Sequence, residues 1–451
     1  MFKKLINNGK KEENLLLSLM LSFFPLAFIL GNTIINFSLI LFIIISFCFY
    51  KSLIFKTILS TLDKIIFSFF VLILLSGIFN DIKFYIGYND FSMWRGPAYT
   101  TIKSIFFLRF FLLYLIIKFL IENKKINLKF FFVSAAFFSL FVCLDIFIQS
   151  IWGKDLFGYE ISSRKLSGPF GDELIAGSYI QRFSLFAFFF TFFFRKNLES
   201  KKLIFINFIF LMVFLSGIIL AGNRMPLLLF VLCIFLIFLI QKKLTKFLLP
   251  ISLILIIIFS ILYNTNKTVS ANFGNFKLQI KQITFFIISE KKEINEAPTY
   301  IKQFSTFYQT WLMNKYFGGG IKNFRYYCHK RPNIKPDFNL DERFEKRQVC
   351  NMHPHNYYLE ILTEIGIVGL TILLIILVKI LISNISYKKF YKLDIFQSYQ
   401  LLPFFILLIA EFFPLKSTGS FFTTTNATYI FLILSITVAS LKKYNLIAKA
   451  S

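Results

Sequence analysis

His353-Pro354-His355-Asn356-Tyr357-Tyr358-Leu359-Glu360-Ile361-Leu362-Thr363-Glu364-Ile365-Gly366-Ile367-Val368-Gly369-Leu370 is where a long polar stretch ends and an apolar helix begins. The apolar run continues to about residue 383, long enough to cross a bilayer. The whole chain has three histidines, and two stand here, two positions apart. Histidine titrates nearest neutral pH, so a scarce one at a membrane boundary points to proton chemistry or anion binding. The plainer reading is a histidine that caps a helix or faces water.

Outward from this stretch the same pattern recurs. Of 451 residues, 57% are hydrophobic and 16% charged, and the mean hydropathy is +0.68. The sequence predicts an all-α polytopic membrane protein of about twelve spans. They fall at 14–30, 33–50, 65–80, 99–121, 130–152, 174–194, 203–221, 225–241, 247–264, 356–383, 398–415 and 425–441. Residues 1–264 form an N-terminal bundle, 265–355 one large loop, and 356–451 the last three spans. No convincing cleavage site follows the first apolar run, which therefore reads as a span.

Basic clusters follow alternate spans: Lys3, Lys4, Lys10 and Lys11; Lys51, Lys56 and Lys64; Lys124, Lys125 and Lys129; Arg195, Lys196, Lys201 and Lys202; Lys242, Lys243 and Lys246; Lys388, Lys389 and Lys392; Lys442, Lys443 and Lys449. The positive-inside rule puts both termini in the cytoplasm and the 153–173, 222–224 and 265–355 segments outside. The net charge of +27 is mostly this anchoring, in a composition rich in Lys, Ile, Phe and Asn. No basic-aromatic motif for nucleic acid is evident. Arginine is distributed differently. Of ten, only Arg195 joins a cytoplasmic cluster, while Arg95, Arg164, Arg224, Arg325, Arg331, Arg343 and Arg347 fall outside and Arg109 and Arg182 lie within spans. Guanidinium suits bidentate contact with phosphate or carboxylate.

Four places carry candidate chemistry. Arg164-Lys165-Leu166-Ser167-Gly168-Pro169-Phe170-Gly171 leads into the span holding Arg182, a charge either functional or within snorkelling reach of the surface. Gly222-Asn223-Arg224-Met225-Pro226 is a tight turn that holds Arg224 at the membrane surface. Ile301, Phe304, Tyr308, Trp311, Leu312 and Tyr316 recur at helical spacing, describing a helix on the membrane or on the bundle. It ends at Gly318-Gly319-Gly320, where amides meet an anion or the chain turns. In the histidine motif, Asn356, Glu360 and Glu364 share one helix face, and Gly366 and Gly369 permit close helix approach. Asp145 and Glu411 are further acids within spans, with no assigned role. Cys48, Cys143 and Cys233 lie in spans. Cys328 and Cys350 share the large loop, without metal-ligand spacing, and are expected to form a disulfide in an oxidising compartment.

The order Gly222-Asn223-Arg224, then Trp311 and Phe317-Gly318-Gly319-Gly320-Ile321-Lys322-Asn323-Phe324, then His355-Asn356-Tyr357-Tyr358-Leu359 with Glu364-Ile365-Gly366-Ile367-Val368-Gly369, resembles the O-antigen ligase and polymerase family of bacterial envelopes. Ser167-Gly168-Pro169-Phe170-Gly171 resembles that family's glycine-phenylalanine turn. One departure stands out. Many members carry an arginine shortly before the loop tryptophan. Here 304–310 has none, leaving Lys302, Arg325 or nothing in its place.

The resemblance implies glycan transfer outside the inner membrane, in lipopolysaccharide biosynthesis. The donor would be a saccharide on undecaprenyl or another polyprenyl diphosphate, and the acceptor a lipid A–core sugar hydroxyl. Arg224 and His355 would be catalytic. Arg164, Arg182, Arg325, Asn356, His353 and Glu364 would bind substrate. No cofactor, nucleotide or metal is expected. The alternative is polymerisation of lipid-linked repeats. From another class, a lipid-linked saccharide flippase would show internal repeats and midplane charges. No such repeat is seen.

Overall fold

The computed structural model describes residues 2–54, 56–87, 98–161, 165–190, 200–240, 248–288, 298–328, 350, 354–385, 395–417 and 419–443. Arg95, Arg164, His329, Arg331, Arg343, Arg347 and His353 lie outside them. The described residues are helical, with one isolated bridge, Lys154 to Glu160, and no strand among them. In chain order the helices are α1 (Phe2–Leu30), α2 (Asn32–Ile54), α3 (Thr61–Gly87), α4 (Tyr99–Glu122), α5 (Leu128–Trp152), α6 (Ala176–Phe183), α7 (Leu185–Phe190), α8 (Ser200–Leu220), α9 (Arg224–Ile240), α10 (Leu248–Thr265), α11 (Lys267–Ile288), α12 (Thr299–Leu312), α13 (Phe324–Tyr327), α14 (Tyr357–Ile385), α15 (Ile395–Glu411) and α16 (Thr424–Lys443).

Eight helices among the described residues are long and apolar enough to cross a membrane, which makes this a multi-pass membrane protein. The sequence-based count of twelve is not reached by these helices, which number nine at most if the bent pair is one span. Arg224–Ile240 and Gln400–Glu411 are apolar but shorter. Stretch 174–194 is broken at Ser184 into α6 and α7 over its described residues. Stretch 247–264 is one arm of a bent pair, α10 with α11, turned by 108°.

The core lies where α16 packs against α4, α2 and α15. Phe70, Phe107, Phe110, Phe421 and Phe431 fill it with edge-on and stacked rings. At the lysine-clustered end, Asp63 accepts hydrogen bonds from Ser60 N, Tyr114 Oη and Lys118 Nζ. That buried charge is therefore paired and capped.

One irregularity shapes the site. α14 breaks at Gly366, whose φ of 79° and ψ of −175° are not helical. A break inside a membrane frees backbone groups, each expensive to leave unpaired. The loop 315–320 supplies their partners. Gly319 N donates to Thr363 O (2.9 Å) and Gly320 N to Glu364 O (2.8 Å). In return, Ile367 N donates to Lys315 O (2.9 Å) and Val368 N to Tyr316 O (3.3 Å). The approach requires glycine on both sides. A Cβ on Gly366 would lie 2.1 Å from Tyr316 O, and one on Gly318 2.3 Å from the Glu364 carbonyl carbon. One sequence reading is corrected here: Gly366 admits this loop rather than a second helix. Of the two readings of 318–320, the turn is the one seen, with the Gly319 and Gly320 amides spent on α14.

Candidate functional site

His355 stands one residue before the capping residue of α14. Its φ of 55° is left-handed, uncommon for a side chain with a Cβ, and it is half-buried. Asn356 fixes that corner. Its Oδ1 accepts from Tyr358 N (3.0 Å) and Leu359 N (3.2 Å), as a helix cap does. Its Nδ2 donates to Pro414 O (2.9 Å) and Lys416 O (3.4 Å). Asn356, read from sequence as a substrate contact, is engaged at both ends of its side chain. Burial holds the His355 pKa below its ordinary value, which favours the neutral imidazole, the form that accepts a proton.

Below this corner lies a buried ionic hub. Glu411 Oε1 accepts from Arg182 Nη2 (2.7 Å), Tyr357 Oη (2.6 Å) and Lys416 Nζ. Arg182 Nη2 also donates to Asn426 Oδ1 (2.7 Å), and its guanidinium lies over the Tyr429 ring. Lys416 lies over the Tyr357 ring. Burial lowers the Lys416 pKa to about 8, although Glu411 pulls it back up. Two cations thus surround one carboxylate. The sequence presented Arg182 as a substrate ligand. The structure places its guanidinium in this internal pair, as a charge within a membrane span generally requires. Glu411, left without a role by the sequence, is the partner.

Glu360 is a second buried acid on α14. It accepts from Ser420 Oγ and from Phe421 N (2.6 Å), and Lys322 Nζ donates to the same Ser420 hydroxyl (3.3 Å). Glu364, also expected to bind substrate, is fully buried, with its carboxyl facing the backbone of Lys322 and Phe324. It is sealed from any ligand in this conformation.

Arg224 opens α9. Its Nη1 donates to Gln279 Oε1 (2.8 Å), and its guanidinium lies over the Phe276 ring. Lys165 is close enough for the Arg224 charge to add to burial in lowering its pKa. The two cations form one cluster at the end of the bundle. Asn223 fixes the turn. Its Oδ1 accepts from Gly177 N (3.1 Å) and its Nδ2 donates to Leu174 O (3.0 Å). The start of α6 is thereby held against the Arg224 turn, while its last turn carries Arg182, which pairs with Glu411 of α15. About 8 Å of helix separates Gly177, held by Asn223, from Arg182, held by Glu411.

Arg325 stands apart from both groups, its Nη2 on Tyr99 Oη (2.9 Å) and its guanidinium over the Tyr326 ring. Cys328 and Cys350 form a disulfide with Cα atoms 5.8 Å apart. They share a small apolar cluster with Phe307 and Phe324, whose rings stack at 3.8 Å, and with Leu359 of α14. No group of three or more potential metal ligands occurs among the described residues.

Residues 208–374 match the family model described as O-antigen ligase. The match begins in α8 and ends in α14, taking in Arg224, the glycine loop, His355 and Gly366. The resemblance read from the motifs is confirmed over that segment. No curated protein matches the chain.

Proposed function

We propose that this chain, whose residues 208–374 carry the O-antigen ligase domain, is a membrane glycosyltransferase that moves a saccharide from a polyprenyl diphosphate to a lipid A–core sugar hydroxyl on the periplasmic face of the inner membrane. The observation that carries this reading is His355. It is a neutral imidazole on a rigid corner, at a membrane boundary, beside a hub with excess positive charge.

In the proposed step, His355 takes the proton from the acceptor hydroxyl as its oxygen attacks the anomeric carbon. The bond from that carbon to the donor's diphosphate oxygen breaks, and the electron pair leaves with the lipid diphosphate. Arg224 and Lys165 stabilise the charge that develops there. Arg164, next to Lys165 in the sequence, is assigned to donor binding, and Arg325 to the saccharide. His353 is assigned a secondary role. Arg182 acts only through Glu411 and Tyr357, by holding the corner on which His355 sits.

The test is the glycan profile of a strain lacking the gene, complemented with wild type or His355→Ala. Loss of all long chains on lipid A–core, with lipid-linked polymer accumulating, supports ligation. Chains reduced to a single repeat would replace it with polymerisation.

A further inference from the structure

The chemistry above leaves α11 without a role. It follows α10 after Asn266 alone and turns from it by 108°. A helix turned this far from the apolar α10 has the geometry of one that lies along a membrane surface. Its sequence carries Lys267, Lys277 and Lys281 and no acidic residue. One face packs inward: Val269 and Asn272 are buried, and Gln279 receives Arg224. At 100° per residue, the three lysines fall on another flank, together with Leu278, Phe285 and Ile288. Those three apolar side chains are 58%, 77% and 74% exposed. Lysines interleaved with bare apolar groups, with no carboxylate to repel an anion, match one environment. That environment is a headgroup layer, where apolar groups enter the acyl boundary and ammonium groups meet phosphate.

We propose that the Lys267–Lys277–Lys281 flank of α11 lies in the headgroup layer on the Arg224 side of the membrane and binds the phosphates of anionic lipids. Through Gln279, this surface contact also holds the Arg224 guanidinium at the level of lipid phosphate. The proposal does not depend on the reaction assigned above.

The full-length protein with Cys48→Ser, which removes the exposed free thiol, takes a nitroxide label in turn at Leu278→Cys, Phe285→Cys and Ile288→Cys. It is reconstituted in phosphatidylcholine vesicles with and without phosphatidylglycerol. Accessibility to oxygen and to a water-soluble nickel chelate then gives the depth of each label. The expected result is oxygen-accessible labels about 5–10 Å below the phosphates, with the Leu278 label moving deeper when phosphatidylglycerol is present. Lys267→Gln/Lys277→Gln/Lys281→Gln should abolish that movement. Labels as open to nickel as a water-exposed reference would overturn the proposal, as would labels at the bilayer centre. Dipolar broadening between copies would replace lipid with a second chain as the occupant. An unchanged lipid response in the triple variant would remove the phosphate assignment.

Discussion

Arg182 and Glu411, 229 positions apart, form a buried ion pair with Nη2 2.7 Å from Oε1. It joins the broken α6 to the end of α15, directly beneath the histidine corner. Lys416 and Tyr357 complete the shell of the carboxylate. Removing one partner of a buried pair leaves the other charge uncompensated, typically at a cost of about 3–5 kcal/mol. Glu411→Gln leaves both Arg182 and Lys416 without their anion. Thermal unfolding in detergent should show a large loss of stability, and Arg182→Met a smaller one, because Lys416 still pairs with Glu411. A midpoint unchanged from wild type would remove the hub from the account of the fold.

The break in α14 gives a second, sharper expectation. Gly366→Ala puts a methyl 2.1 Å from Tyr316 O, a contact that backbone cannot relieve cheaply. The loop 315–320 must withdraw, freeing the carbonyls of Thr363 and Glu364. Each unpaired backbone group then costs about 1–3 kcal/mol. Gly366→Ala and Gly318→Ala should both abolish transfer and lower the unfolding midpoint. Gly274→Ala is the control. It is helical with nothing within 4 Å of the added carbon, so it should be neutral or stabilise by up to about 1 kcal/mol. Equal behaviour of all three in an unfolding assay would refute the role given to the loop.

Asn356 should act on rate through geometry. Asn356→Ala removes a helix cap, worth about 1 kcal/mol, and releases the carbonyls of Pro414 and Lys416. Insertion and folding should survive, while kcat falls more than KM changes, because the base is displaced and no substrate contact is lost. Asn356→Asp keeps the cap but loses the donor to the 414–416 loop, and should fall between. A change confined to KM would restore Asn356 to the substrate-binding residues.

Much of this was legible in the sequence, for physical reasons that also set the limit. Apolar length identifies helices such as Tyr99–Glu122 and Leu128–Trp152, because a bilayer leaves the backbone no other partner. Helix Thr299–Leu312 was legible from its spacing of aromatic side chains. α11 was hidden inside the expected loop 265–355, because its lysines share a flank with its apolar residues and depress the hydropathy of any window. Arg182 was legible as an anomaly, but its partner was not. Pairing across 229 positions is a property of packing; alone, Arg182 looked like a candidate for function and Glu411 had no assigned role. The glycines of 318–320 and Gly366 were legible as places of close approach. That they approach each other was not, because backbone pairing at a break leaves no side-chain signature.

The reaction itself is tested by pH. His355 is proposed to accept a proton, so it must be neutral, and burial lowers its pKa below 6.5. At neutral pH the base form already dominates. The rate should therefore be level from pH 7 down to the lowered pKa, and then fall as acid protonates the ring. An imidazolium that bound phosphate would give the reverse, with activity rising into acid. A second limb is expected on the alkaline side, near the Lys416 pKa of about 8. Loss of that proton leaves Glu411 with one cation fewer and loosens the Tyr357 and Pro414–Lys416 contacts. Lys416→Arg should keep the acid limb and move the alkaline one upward. His355→Ala, with the protein still inserted, should lower turnover by roughly 10²–10⁴-fold. The measurement is transfer by purified enzyme in vesicles across the pH range. Wild-type turnover by His355→Ala, or a rate that climbs as pH falls through the acid limb, would end the assignment of His355 as the base.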